Sequence, residues 1–226
     1  MICVVTCKRE GVDYLPATLA AVDASATGRR VLVSDSLIHR PSAPAPWELV
    51  TFRKPAQSSN RPENRWAMWK CFELAAHTGE DLVVLEDDLQ LCENTALVME
   101  RLPVPADCAF VTFFACHGKN LNKGIHRQRM HSFCFAQALK FPARTVDEMH
   151  GAFAEMAGDP RWIGSDDSLR VMGCKRRWLY GTHYPNLVQH VGDVSAVGNH
   201  VQGSRRSETF PGLDFNARSL PAGFYD

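Results

Sequence analysis

The chain has 226 residues, with 25 Lys or Arg against 25 Asp or Glu, so its formal net charge is zero when the nine histidines are neutral. That balance excludes a histone-like basic protein and an acidic solvating tail. At 45% hydrophobic and 22% charged residues the composition is that of a folded globular protein, and the length suits one generous α/β domain or two small ones.

Taken in chain order, the pattern alternates strands and helices. Ile2 to Thr6 is a short β-branched run and predicts a strand; Tyr14 to Val22, with Leu15, Leu19 and Val22 on one face, predicts a helix. Val31-Leu32-Val33 centres a second strand, Arg30 to Ser34, that ends at Asp35. Pro41, Pro44 and Pro46 then rule out a regular element, and Glu48 to Phe52 predicts a third strand. Ser58, Ser59 and Asn60 offer caps and Pro62 suits a first turn, so Asn64 to His77 reads as a helix with Met68, Phe72 and Ala75 inward. Gly79 closes it, and Asp81 to Leu85 is an apolar strand that runs straight into Glu86-Asp87-Asp88.

A helix from Asn94 to Arg101 and a strand from Ala109 to Phe114 complete the first half. Further on, Phe133 to Phe135 predicts a strand, Thr145 to Ala157 a helix, and Ser165-Asp166-Asp167 caps a helix reaching Met172. Trp178 to Tyr180 and Leu187 to Val191 predict short strands, and the stretch from Asn199 carries no periodicity. Strands separated by helices favour a mostly parallel central sheet flanked by helices, with ligands beyond the carboxyl ends of the strands. That rule singles out the loops that begin at Cys7-Lys8-Arg9, at Asp35 and at Glu86.

No apolar run approaches the roughly 18 residues of a membrane span, and no basic segment followed by a long apolar one opens the chain. The expectation is a cytoplasmic protein without signal peptide or transmembrane segment. The eight cysteines contain no C-x-x-C pair and several sit inside apolar runs, so they read as reduced thiols and not as a zinc site.

Three acids in succession at the mouth of a buried strand repel one another unless a cation relieves them. A hard ion such as Mn²⁺ or Mg²⁺, held by one or two carboxylates and a diphosphate, does so; capping of the next loop is the competing explanation for Glu86, Asp87 and Asp88. Asp166 and Asp167 open a helix, where the free N–H groups and the dipole suffice to explain them. His190, alone in Leu187-Val188-Gln189-His190-Val191-Gly192, reads by itself as a hydrogen-bonded core histidine. No G-x-G-x-x-G, P-loop or G-x-S-x-G is present, which argues against common dinucleotide oxidoreductases, P-loop NTPases and serine hydrolases.

The joint order of these pieces resembles the GT-A fold nucleotide-sugar glycosyltransferases, in particular the inverting N-acetylglucosaminyltransferases of N-glycan branching. The matching residues are Val4-Val5-Thr6-Cys7-Lys8-Arg9, Ser34-Asp35, Arg65-Trp66-Ala67, Val84-Leu85-Glu86-Asp87-Asp88-Leu89, Ser165-Asp166-Asp167-Ser168-Leu169-Arg170 and His190-Val191-Gly192, which span residues 1 to about 195. The resemblance implies that Asp88, last of a DxD-type triplet, ligates the metal together with His190. It implies that Glu86 and Asp87 meet ribose or donor sugar, that Asp35 meets base or ribose, and that Thr6, Arg9 and Arg65 line the nucleotide-sugar site. Asp166 would be the general base toward the acceptor hydroxyl, with Asp167 its neighbour or substitute. The expected division is one catalytic domain over 1–198, with a nucleotide-sugar-binding half at 1–115 and an acceptor half at 116–198, and an extended tail over 199–226.

The expected activity is therefore a metal-dependent, inverting transfer of a sugar from a nucleotide donor, UDP-linked, to a hydroxyl on a glycan, a small molecule or a hydroxymethylated DNA base. Two rivals stand beside it. A sugar-nucleotide pyrophosphorylase needs a glycine-rich loop after the first strand, whereas the first glycine here is Gly11. A non-enzymatic nucleic-acid-binding protein would use the basic loops and would not need the acids. Charge is segregated along the chain: between Cys71 and Glu100 every charged side chain is acidic, and between Cys108 and Val146 every one is Lys or Arg. That basic stretch, with Lys119, Lys123, Arg127 and Arg129, reads as a loop able to close over a donor diphosphate or to meet an anionic acceptor, with a solvated loop as the plainer alternative.

Overall fold

The first half of the chain lays down β1 (Ile2–Thr6), α1 (Leu15–Asp23), β2 (Arg30–Asp35), β3 (Glu48–Phe52), α2 (Glu63–Thr78), β4 (Leu82–Glu86), β5 (Leu89–Leu91), α3 (Thr95–Arg101) and β6 (Cys108–Thr112). The second half adds β7 (Gly124–Arg129), a 3-10 turn at Met130–Ser132, β8 (Ala138–Phe141), α4 (Ala143–Met156), α5 (Ser165–Arg176), β9 (Leu179–Tyr184) and β10 (Val188–His190). The computed structural model describes residues 1–7, 12–35, 41–52, 63–116, 123–156, 164–192 and 206–221, with only the backbone of Asp35, Glu63 and Asn64.

Eight strands form one sheet in the order β3-β2-β1-β4-β8-β6-β9-β7, and β10 pairs with β5 in a second, two-stranded sheet. In the large sheet β1, β2, β3 and β4 are mutually parallel, β8 runs against both β4 and β6, β9 is parallel to β6, and β7 runs against β9. The sheet is therefore mostly parallel, with β8 and β7 reversed, and it is flanked by helices as the GT-A resemblance implies.

Apolar residues fill both faces of the central strands because both faces are covered. Ile2 and Val4 of β1 and Leu85 of β4 pack with Leu15, Leu19 and Val22 of α1 and with Ala96 and Met99 of α3. Cys3 and Val84, pointing the other way, pack with Met68 and Phe72 of α2 and with Met149 and Phe153 of α4. Phe72 sits 4.8 Å from Phe141 and 5.3 Å from Phe153, ring centre to ring centre, which ties α2 to β8 and α4.

Four stretches differ from the sequence expectations. Phe133 to Phe135 is not a strand: the turn at Met130–Ser132 closes with Phe133 N–H donating to Met130 O at 3.1 Å, and the strand begins later, as β8. β8 carries Lys140 through the core, its Nζ reaching Glu100 O at 2.8 Å and Asp81 at 3.2 Å. Part of the basic stretch is the edge strand β7, where Arg127 pairs with Asp107 at 2.8 Å; Lys119 lies outside the described residues. α5 continues past Met172 to Arg176 because Gly173 packs directly on Met130, where a Cβ would come within 2.3 Å of its Cγ.

Residues 206–221 cross the second sheet. Asn216 bridges to Glu93, Ala217 N–H donates to Glu93 O at 2.9 Å, and Ala217 and Leu220 join the core beside α3. Among the described residues no helix is long and apolar enough to cross a membrane.

Candidate functional site

The carboxyl end of β4 is built from residues that hold one another. Asp87 is buried and accepts the Thr6 hydroxyl at 2.7 Å and the Cys7 N–H at 3.3 Å, which fastens the end of β1 to the end of β4. Thr18, buried on α1, donates its hydroxyl to Asp87 O at 2.7 Å and accepts from Leu89 N–H at 3.2 Å. These bonds satisfy the main chain where the large sheet hands over to the small one, so the turn is rigid. In this structure Thr6 and Asp87 thus bind each other.

The next residue faces a different partner. β5 and β10 pair antiparallel with His190 opposite Leu89, and Val191 N–H donates to Asp88 O at 3.0 Å. That register puts His190 Nε2 at 3.2 Å from Asp88 Oδ2, with both side chains almost fully buried. Glu86 completes the group: ligand atoms of Glu86, Asp88 and His190 lie within 4.8 Å of one another.

Two carboxylates and an imidazole so placed match a divalent cation that accepts oxygen and nitrogen donors. Gly192 supplies the room. A Cβ there would lie 2.1 Å from Asp88 Oδ2 and 3.1 Å from His190 Nε2, so any larger residue would fill the space the donors share. The residues present fit Mn²⁺ or Mg²⁺. The structure therefore brings together Asp88 and His190, and adds Glu86 to them, although the resemblance had given Glu86 to the donor sugar.

Arg65 lies near the start of α2, buried, with its guanidinium 5.2 Å from the Trp66 ring centre. Arg9 and the side chain of Asp35 lie outside the described residues, although the backbone of Asp35 ends β2 at the same edge of the sheet. Asp166 and Asp167 both sit in the first turn of α5. Both are half-buried and they differ in partners: Asp167 pairs with Arg170 at 2.5 Å, whereas Asp166 places its Oδ1 in the space left by Gly164.

Sequence reading missed Gln137. Glu86 N–H donates to Gln137 O at 2.9 Å, continuing the antiparallel register in which Leu85 opposes Ala138. Opposed residues project to the same face, so the Gln137 carboxamide and the Glu86 carboxylate are neighbours. Gln137 is 5% exposed, and among the described residues its Oε1 meets no hydrogen-bond partner. A single glutamine ahead of an unrecognised strand gives no signal in one sequence.

No protein-family model matches the chain, and no curated protein does. Among solved structures, a CTP:phosphocholine cytidylyltransferase from Streptococcus pneumoniae is similar with a TM-score of 0.51 at 8% identity, over 84% of this chain and 92% of that one. The galactosyltransferase LgtC, in complex with donor and acceptor sugar analogues, gives 0.48 at 13% identity over 76% of this chain and 70% of its own, and an active-site mutant of LgtC gives the same values. Neither is an N-acetylglucosaminyltransferase of N-glycan branching, and that narrower likeness gains nothing from them. What the cytidylyltransferase shares with this chain is the fold, a helix-flanked α/β layout.

Proposed function

We propose that the protein is a metal-dependent glycosyltransferase that moves a sugar from a nucleotide donor, UDP-linked, to a hydroxyl acceptor with inversion. The observation that carries this reading is the grouping of half-buried Glu86 with buried Asp88 and His190 at the carboxyl end of β4, where a mostly parallel sheet offers its ligand edge. Asp88 and His190 would hold a divalent cation there with Glu86 completing the donor set, and it would supply neutralising charge to a departing diphosphate, while the Thr6–Asp87 bond ties the end of β1 to the end of β4.

Asp166 is the general base: it takes the proton from the acceptor hydroxyl as that oxygen bonds to the anomeric carbon, and the bond from that carbon to the diphosphate oxygen breaks with its electron pair on the diphosphate. Asp167, engaged by Arg170, is its neighbour and not its substitute.

The test is a screen of nucleotide sugars, beginning with UDP-N-acetylglucosamine, for Mn²⁺-dependent thermal stabilisation and release of nucleoside diphosphate. Asp88→Ala should remove both, and Asp166→Asn should lower transfer by about 10²-fold or more while donor stabilisation persists. Equal behaviour of wild type and Asp88→Ala sinks the reading. A nucleotidyltransferase activity, as the pneumococcal cytidylyltransferase has, shares this fold and is separated by product: it releases pyrophosphate from a nucleoside triphosphate.

A further inference from the structure

A cleft of about 160 Å³ opens at the carboxyl ends of β6 and β9. That is the share of about five liquid waters, the scale of one sugar ring and not of a chain of them. Its walls are aromatic, from Phe114, Phe133, Phe135, Tyr180 and Tyr184. Its polar groups form a connected set: Tyr180 donates its hydroxyl to Gln128 Oε1 at 2.8 Å, Gln128 Nε2 donates to Thr182 Oγ1 at 3.1 Å, and Ser132 Oγ lies 3.2 Å from the Tyr180 oxygen. Burial pushes the Tyr180 phenol up and that of Tyr184 to about 12, so both keep their protons at neutral pH. No described lining residue carries a charged side chain.

The cleft and the metal cluster share a wall. The Phe114 ring lines the cleft and lies 6.3 Å from the His190 ring, while its edge meets Phe135 at 5.8 Å. At another side stands Cys134, whose thiol is raised by burial and by the nearby charge of Asp166, and lowered by Arg170. A group seated in the cleft thus lies against the ring that also backs the candidate cation site, and Cys134 on its lining feels the charge of the candidate base.

We infer that this cleft is the acceptor subsite and that it takes an uncharged pyranose ring, the apolar face of the ring against the aromatic wall and its hydroxyls on Gln128, Ser132 and Tyr180. An aromatic floor rewards the C–H face of a sugar, and amide and hydroxyl groups with spare lone pairs match vicinal hydroxyls. The described lining residues include no Lys or Arg to pair with a phosphate or a uronate, so a neutral ring is what they fit best. The inference rests on the transferase reading above.

The test uses Cys134 as the reporter and Cys174, exposed on α5 and not part of the cleft, as the internal reference. The intact protein is labelled with N-ethylmaleimide at a pH of about 8, where part of an ordinary thiol population is ionised, and the two sites are followed by mass spectrometry. Methyl glycosides of neutral hexoses, with and without UDP and Mn²⁺, should slow Cys134 about threefold at about twice their dissociation constant and leave Cys174 unchanged. Glucose 6-phosphate, glucuronate and an oligonucleotide containing 5-hydroxymethylcytosine should not.

The inference is overturned if no neutral glycoside protects Cys134, or if the anionic sugars or the oligonucleotide protect it as well. Cys134→Trp, which fills the cleft from an exposed loop position, should abolish transfer and preserve Mn²⁺-dependent donor stabilisation. If UDP and Mn²⁺ fail to stabilise the wild type while neutral glycosides still protect Cys134, the donor reading falls and the cleft remains a sugar site. The opposite pattern removes only the cleft.

Discussion

Gly192 shapes the candidate metal site by what it lacks. Its Cα sits so close to Asp88 that one methyl group would occupy the position of Oδ2, yet nothing about its backbone requires glycine for conformational freedom. Gly192→Ala should therefore fold and displace the Asp88 carboxylate. We expect Mn²⁺ affinity, read by calorimetry or by thermal shift against metal concentration, to fall about 10- to 100-fold, the size of effect seen when the support of a metal ligand is disturbed. An unchanged affinity would show that Asp88 does not face the ion.

At the scale of elements, β9 carries a buried group whose protonation sets acid stability. His183 is fully buried, stacks on Phe113 at 5.2 Å and donates Nδ1–H to Pro185 O at 2.7 Å in its neutral form. Burial depresses it from 6.5 to about 4. The folded protein then holds fewer protons than the unfolded chain between pH about 4 and 6.5. Its contribution is complete above 6.5 and is lost as pH falls through that window, by about 3 kcal/mol. His183→Phe should flatten the fall in urea-unfolding stability from pH 7.5 to 4.5 relative to wild type, and parallel curves would refute the assignment.

The same scale shows what the sequence made legible. β1, β2, β4 and β6 could be read as apolar runs because both of their faces are buried, and the acid triplet stood out because a buried strand leads into it. β8 was missed since Lys140 breaks its apolar run, a charge tolerated only because Glu100 O and Asp81 meet it from distant parts of the chain. β7 reads Gly-Ile-His-Arg-Gln-Arg, a loop-like composition, and is a strand because an edge position lets charged side chains reach solvent. β5, three residues long, is too short for any periodicity, whereas β10 falls inside the strand expected over Leu187 to Val191. Within the site, the triplet that contains Asp88 was legible from the strand before it, but its partnership with His190 came only from the resemblance, because their 3.2 Å approach depends on a pairing between segments far apart in the chain. Gln137 offered no pattern at all.

At the scale of the whole molecule, the zero net charge conceals an acidic stretch from α2 to α3, which includes the triplet at the end of β4, and a basic stretch that runs from before β7 to the first turn of α4. The C-terminal segment joins the distant parts. Ser207 N–H donates to Gln189 Oε1 at 2.7 Å, Gln189 Nε2 donates to Ser207 O at 3.3 Å, and Ala217 and Leu220 close the core beside α3. Removing residues 206–226 should lower the melting temperature by about 5 °C or more through the lost burial, and should also weaken Mn²⁺ binding. A truncated protein that melts lower yet binds Mn²⁺ as tightly as the full chain would show that the segment serves stability alone.

The reason for expecting both effects lies in the two-stranded sheet. Three residue pairs hold β10 against β5, and side chains alternate along a strand, so a slip of one position would swing His190 to the far side and bring Gln189 toward Asp88. Ser207 grips Gln189 by both ends of its amide and keeps it turned outward. The tail thus acts as a detent on the strand that carries His190, and the affinity of the site for its ion is set in part by residues that never touch it.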